Sequence, residues 1–441
     1  MQNAMPHVVI VGGGFGGLAA ARALRDAPVR LTLIDRTNHH LFQPLLYQVA
    51  TCVLSSVDIA APIRHLLRHQ ANASVMMAEV LGVEPRNHVV LVGEPEVDAR
   101  PVHYDYLILA TGATGSYFGH DEWASIARYP KTIADALTMR DRILKLFELA
   151  EIEADPSRHK DLLTFVVVGA GPTGVEMAGA LATMTHFTLK SEFRRIDPAS
   201  ARIILVDAGP RILTAYSETL ASKTHRRLTR MGVQVRTGAR VEHVDEEGVV
   251  VNGERIRSHC VFWAAGVHAS RAGTWLGADT DHAGRVKVLP NLTMPGHPEV
   301  FVVGDTACIE HLGRPLPGVA QVAMQSGEYA GTTIRRILAN EPALPPFRYF
   351  DKGNLATISP TFAIFERGRV KLSGWLAKVL WACVHILYLS GFENRIRLLL
   401  EWEWGMLARR GGARVIEDPS YADLTSVDAR STLHLRHRDV A

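Results

Sequence analysis

The sequence predicts an α/β protein made of two Rossmann-type dinucleotide-binding domains, the second inserted in the first, plus a C-terminal helical region of different character. Three observations carry this. VVIVGGGFGGLAAARAL at 8–24 sets Gly12, Gly14 and Gly17 in the register G-x-G-x-x-G, between an apolar run and a helical pattern. FVVVGAGPTGVEMAGAL at 165–181 repeats the arrangement with Gly169, Gly171 and Gly174. EVFVVGD at 299–305 is a late apolar strand ending in Gly-Asp, so the chain leaves the first unit, builds the second and returns. A pyrophosphate is bulky and doubly charged. It needs a turn without side chains and a helix N-terminus with free N–H groups. Two such turns imply two dinucleotides in one chain, and electrons passed between them.

The elements follow in order. Residues 7–11 read as a buried strand, 15–26 as a helix and 31–35 as the next strand, a β-α-β unit ending in Asp35. TNHHLFQPLLYQVAT at 37–51 lacks clean periodicity and reads as an extended loop and a short helix. YDYLILA at 104–110 is a further strand closed by Thr111-Gly112, and 132–154 reads as a helix with Ile133, Leu137, Leu144 and Phe147 on one face. The second unit runs strand 163–168, helix 172–185 and strand 202–207, ending in Asp207. Several candidate strands fill 233–268, including VFWAAG at 261–266, and a helix covers 320–338. The apolar run at 375–392, interrupted by Lys378 and His385, is near the lower limit of a bilayer span. In 392–407, Phe392, Ile396, Leu399, Leu400 and Leu407 form one helical stripe. Beyond about 418 the tail is polar and reads as disordered.

Composition sets bounds. With 47% hydrophobic and 21% charged residues in 441, the chain is globular and long enough for two or three cores. A formal net charge of +3 is too small to argue for nucleic acid. The four cysteines (Cys52, Cys260, Cys308, Cys383) are scattered without a C-x-x-C, which speaks against a disulfide framework, a metal site or a dithiol redox centre and suits a reducing compartment. The first strand begins near His7, which leaves no room for a signal peptide.

Particular residues carry chemistry. Asp35 ends the second strand, where a carboxylate accepts ribose hydroxyls; the plainer reading is a surface acid at a strand end. Asp207 holds the same place in the second unit. Its charge would repel a 2′-phosphate and favour NADH over NADPH, although Arg211 lies close by. Asp305 ends the returning strand, placed to bind a ribityl hydroxyl or to lie near a flavin pyrophosphate, or to mark a plain turn. Gln321 and Gln325, four apart, project from one helix face, and amides can bond a carbonyl of a bound molecule without adding charge or can cap backbone groups. Lys352 could stabilise a developing oxyanion or pair with a surface acid. Glu176, just after the second glycine loop, could orient the nicotinamide end of NADH or relay a proton, or simply favour the helix dipole.

The chain resembles the type II NADH dehydrogenases, single-subunit NADH:quinone oxidoreductases of the pyridine nucleotide-disulfide reductase-like superfamily, over residues 7–416. The residues carrying it are GGGFGGL at 12–18, HLFQPLLYQVAT at 40–51, LATGA at 109–113, GAGPTGVEMAG at 169–179, WAAGV at 263–267, VVGD at 302–305, AQVAMQ at 320–325 and DKGNLATI at 351–358. The resemblance implies FAD bound by the first domain and NADH by the second. It places Gly12, Gly14, Phe15, Gly16, Gly17, Asp35, Val80, Ala110, Thr111, Gly112, Asp305 and Gln321 at FAD positions. Gly169, Gly171, Pro172, Thr173, Gly174, Glu176, Asp207 and Gly266 fall at NADH positions. Glu176, Gln321, Gln325 and Lys352 are the catalytic candidates, with Gln321 and Gln325 bordering the flavin and a membrane quinone. The family usually has Glu where this chain has Asp207.

The implied division is 1–115 and 285–345 for FAD, 116–160 a connecting helical segment, 161–284 for NADH, 346–416 for membrane docking and the quinone side, and 417–441 a tail. The expected activity is non-proton-pumping transfer from NADH through FAD to a quinone, on the cytoplasmic face of a bacterial inner membrane. The expected anchor is monotopic rather than spanning, and a homodimer is implied by resemblance alone. The competing readings are a sulfide:quinone oxidoreductase, which needs cysteines at the flavin, and an NADH-responsive flavoprotein acting as a redox-switched binding protein.

Overall fold

A computed structural model describes residues 5–93, 99–408 and 413–418. The chain forms two compact units, one of residues 1–41, 60–114 and 267–352, the other of 42–59, 115–266 and 353–441. The return to the first unit falls at Val267, and the segments at 42–59 and after Lys352 belong with the second.

The first unit is built on a six-stranded sheet in the order Thr293–Met294, His297–Val302, Tyr106–Leu109, His7–Val11, Arg30–Asp35, Ala73–Met77. All but the first pair are parallel. Its central strand, His7–Val11, is buried at every position, as a strand covered on both faces must be. The strand foreseen at 299–305 is found as His297–Val302, giving way to a turn at Gly304–Thr306, and it pairs with Tyr106–Leu109. The helix Phe15–Ala23 packs along the helix Ala320–Leu338. That approach is closer than side chains permit. A Cβ at Gly327 would overlap the Gly16 carbonyl, and one at Gly331 would lie 2.6 Å from the Ala20 carbonyl oxygen. A separate antiparallel sheet, Glu79–Glu84, Val89–Gly93 and Arg100–His103, was not foreseen, because its strands alternate weakly.

The second unit has a five-stranded parallel sheet ordered Ala127–Arg128, Cys260–Trp263, Thr164–Val168, Arg202–Val206, Gln234–Arg236. The helix Pro172–Thr183 follows the glycine loop, and Gly179 lets it touch the strand Asn354–Ser359 at the Ile358 carbonyl. That strand opens an antiparallel meander with Phe362–Arg367 and Val370–Gly374. Sequence reading had placed this stretch with the docking helices, and its sheet character comes from tertiary packing. The helix Ile133–Ile152 starts on a Thr132–Asp135 capping box. Near its middle, buried Asp141 accepts the backbone N–H groups of Glu417 and Asp418 at 2.9 and 3.0 Å.

The C-terminal apolar run is a helix of 14 residues, Trp375–Tyr388, followed after a break at Gly391 (φ +94°) by the helix Phe392–Ala408. Arg395 fixes the elbow by donating to the Leu389 and Leu387 carbonyls at 2.9 and 2.8 Å. No described helix is long and apolar enough to cross a membrane. The side chains of Phe392, Trp404 and Leu407, and the tail after 418, lie outside the described residues.

Candidate functional site

The first glycine turn shows a division of labour. Gly12 has φ +104°, and a Cβ there would collide with the Ala110 carbonyl. A Cβ on Gly17 would overlap the Gly12 carbonyl, so Gly17 closes helix against strand. Gly14 differs: an added Cβ meets nothing within 4 Å, and Gly14 caps the helix Phe15–Ala23 without a side-chain bond. Open space in front of a helix N-terminus is what a pyrophosphate requires. Gly16 serves the helix contact described above. Phe15 packs edge-on to His40 at 5.0 Å. The His40 Nδ1–H donates to the Gly13 carbonyl at 3.0 Å, and burial pushes this imidazole down to about 4, so it stays neutral.

The strand-end acid sits under this loop. Asp35 accepts from the Gly13 N–H at 2.6 Å and from the Thr37 N–H and hydroxyl at 2.7 and 2.8 Å. Three bonds leave capacity on a carboxylate with about four lone-pair sites. Thr111 and the Gly112 N–H bond the Thr306 hydroxyl at 3.2 and 2.8 Å, and Thr111 also meets the Ser270 hydroxyl at 2.5 Å. This ties the 110–112 turn to the Gly304–Thr306 turn that carries Asp305. Val80 is buried in the core on Glu79–Glu84.

Gln321, in the first turn of Ala320–Leu338, has its Oε1 buried without a donor in the protein. A buried acceptor of this kind can take a donor from a bound group or a water. Gln325 is otherwise engaged. Its amide donates to the Phe350 carbonyl at 3.0 Å and accepts from the Phe350 N–H at 2.9 Å. It holds the segment leading to exposed Lys352, the backbone-capping arrangement foreseen as the alternative for this residue.

The second turn repeats the pattern. Gly169 has φ +99°, Gly174 closes on the Gly169 carbonyl, and Gly171 faces open space at an uncapped helix start followed by exposed Pro172 and Thr173. Asp207 accepts from the Ala170 N–H at 2.5 Å and the Gly209 N–H at 2.7 Å. Arg211 donates its guanidinium to the Leu213 and Thr214 carbonyls at 3.1 and 3.0 Å. Gly266 has φ +75° against the exposed Phe118 ring.

Glu176 is the most perturbed acid of the second unit. Its Oε1 accepts the Thr357 N–H at 3.1 Å, and desolvation pushes its carboxyl up to about 8. Its partner is Lys378, which sequence reading had taken only as a costly interruption of an apolar run. Lys378 Nζ bonds the Thr357 hydroxyl at 3.0 Å and lies 3.8 Å from the centre of the Trp381 ring. Desolvation pulls its ammonium down to about 7, with the Glu176 charge working the other way. Tyr47, also missed, is buried beside them; burial and the Glu176 charge hold its phenol well above the usual range. The signal in the sequence was a lone lysine among apolar residues. Among the cysteines, all free, burial pushes Cys52 up to about 12, an inert thiol.

The pyridine nucleotide-disulphide oxidoreductase family model matches residues 6–327. The type II NADH:quinone oxidoreductase Ndh of Mycobacterium tuberculosis is 47% identical over 428 residues, covering 93% of this chain and 90% of that protein. The enzyme NdhA of the same organism is 45% identical, covering 95% and 91%. Among solved structures, NDH2 from Plasmodium falciparum in complex with NADH shares the fold, with a TM-score of 0.85 at 20% identity over 92% of this chain and 99% of that one. The sulfide:quinone oxidoreductase of Aquifex aeolicus follows at 0.70 and 19%, over 88% and 91%. Identity of 47% across nine-tenths of both chains separates these two relatives: this chain belongs to the pyridine nucleotide-disulphide oxidoreductase family and, within it, to the type II NADH:quinone oxidoreductases.

Proposed function

We propose that this protein oxidises NADH and reduces a membrane quinone without pumping protons. The observation that carries the reading is the pair of open glycine cradles, at Gly14 and Gly171, each backed by a strand-end carboxylate. FAD, when bound, would supply the two-electron redox chemistry that links NADH to the quinone. The first unit holds it through the Gly12–Gly17 turn, Asp35, Thr111, Asp305 and Gln321. The second unit holds NADH through the Gly169–Gly174 turn, with Asp207 on the ribose.

Forming a quinol takes up two protons, and Glu176 and Lys378 are the groups suited to supply one. With the acid near 8 and the amine near 7, the pair passes from two protons to none across that window and holds one between the two values. Such a pair gives and regains a proton at little cost. Lys352 and Gln321 remain candidates for the quinone side.

The C-terminal helices dock on a lipid surface in this reading. The first is about 21 Å long at 1.5 Å per residue, short of a roughly 30 Å hydrocarbon core. Trp375, Leu376, Val379 and Leu387 on it, and Ile396, Leu399 and Leu400 on the second, are all exposed. A monotopic anchor accounts for them. The scattered free cysteines suit the cytoplasmic face of a bacterial membrane. A homodimer rests on family resemblance.

The test is NADH oxidation by the purified protein with short-chain quinones, comparing wild type with Gln321→Ala. Flavin bleaching by NADH is expected to stay fast while quinone turnover slows. A colourless protein, or a yellow one that NADH does not bleach without oxygen, defeats the reading; equal turnover removes Gln321 from the site.

A further inference from the structure

Trp402 stands at a junction that neither cofactor binding nor docking requires. Its indole N–H donates to Gln48 Oε1 at 3.0 Å, and Gln48 Nε2 donates to the Tyr47 phenol oxygen at 2.9 Å. Gln48 and Tyr47 are buried, 5% and 4% exposed, so these bonds are not traded with water. A phenol that accepts from Gln48 keeps its own O–H to give, and the negative group it senses is Glu176. On its other side, Trp402 lies 5.1 Å from the Trp381 ring and 5.9 Å from Lys378 Nζ. One indole thus reaches both ends of the acid–base cluster. It does so from the helix that also exposes Ile396, Leu399 and Leu400.

We propose that Trp402 is a positioning residue that transmits the seating of the C-terminal helices on a lipid surface to the Glu176–Lys378 pair, so that the bilayer activates the quinone half-reaction as well as holding the enzyme. The mechanics are short-range. Arg395 locks the two helices at their elbow, so a force on the exposed aliphatic face of either is felt by both. Off the lipid surface the second helix can turn about its axis, which shifts the indole N–H off Gln48, frees the Gln48 amide to rotate and releases Tyr47 from its orientation; seating holds the bonded position. The same turn withdraws an aromatic face from the Lys378 ammonium, where a cation–π contact favours the charged form. The inference rests on the docking and proton-holding roles assigned above. The other titratable side chains facing the pair are Tyr47, Tyr216 and His385, with Glu366 beside Tyr216.

The experiment uses flavin-loaded full-length protein and a quinone too polar to partition into lipid, so that vesicles cannot act by concentrating substrate. Phosphatidylcholine vesicles containing phosphatidylglycerol are added to wild type, Trp402→Phe, Trp402→Leu and Gln48→Leu. Co-sedimentation, flavin bleaching by NADH and flavin reoxidation by quinone are each measured on one sample. In wild type, vesicles are expected to speed reoxidation about five-fold, the worth of one well-placed hydrogen bond. Trp402→Phe and Gln48→Leu are expected to co-sediment and lose that gain. Trp402→Leu, lacking the ring as well, is expected to move the acid limb of the reoxidation pH profile down by about half a unit. A role in folding alone would leave that limb in place. Co-sedimentation with undiminished acceleration in both Trp402→Phe and Gln48→Leu overturns the coupling and leaves docking intact. Wild type that does not co-sediment overturns docking and coupling together. Gln48→Leu reads the link from its other end and decides the matter if the Trp402 variants lose flavin.

Discussion

Gly171→Ala separates the cradle from the scaffold. Gly171 sits at the N-cap of Pro172–Thr183 with φ −70° and ψ −176°, extended backbone that alanine adopts without strain. Its added Cβ would meet nothing within 4 Å. The folded protein therefore loses only the difference between Gly and Ala at an N-cap, about 1 kcal/mol, or a few degrees in Tm. The Cβ does project into the space that the pyrophosphate of NADH must enter. Keeping the anion one methyl away breaks two backbone bonds to charge, roughly 1.5–3 kcal/mol each. The expected result is a yellow, folded protein whose Kd for NADH rises at least about 100-fold. The assay is titration of flavin bleaching under anaerobic conditions beside a thermal melt. Wild-type NADH affinity in the variant would refute the placement of the pyrophosphate, and a large fall in Tm would refute the claim that Gly171 faces open space.

Other outcomes follow from the same geometry. Gly174→Ala drives a Cβ onto the Gly169 carbonyl and should cost about 3 kcal/mol of stability, read by thermal melting. Glu176→Gln should slow flavin reoxidation by quinone about 100-fold at neutral pH while leaving bleaching by NADH far less affected. In wild type the reoxidation rate should peak between pH about 7 and about 8, where the pair holds one proton; below that window it holds two, and above it none. Without the carboxylate that supports it, the Lys378 ammonium deprotonates at lower pH, so the alkaline limb of the variant should move to more acid values in a stopped-flow pH series. Leu399→Glu with Leu400→Glu places charge on two exposed apolar positions and should abolish co-sedimentation with vesicles while sparing turnover of a soluble quinone measured without vesicles.

Much of the nucleotide-binding architecture was legible because parallel sheets write themselves as continuous apolar runs, and glycine turns have few substitutes. Gly12, Gly17, Gly169 and Gly174 are dictated by collisions with the backbone, which sequence can signal. The antiparallel pieces were less legible. Asn354–Gly374 is held by the helix packed on it, a relation with no local periodicity to betray it. Gln325 shows the limit of position: two glutamines a helical turn apart look equivalent, yet one is orphaned and the other is clamped to Phe350. Lys378 shows the limit of composition. Its charge looked like a defect in an apolar helix until a carboxylate 202 residues earlier in the chain proved to be its counterpart.

The threading of the first unit bears on how the protein is made. Its sheet places Tyr106–Leu109 between His7–Val11 and His297–Val302, and its glycine turn rests against a helix that begins at Ala320. On the ribosome the first nucleotide pocket must wait, half-walled, while the whole inserted unit is synthesised. Flavin capture is then among the last steps of maturation, and a shortage of the vitamin would leave behind a nearly finished chain rather than an early abortive one.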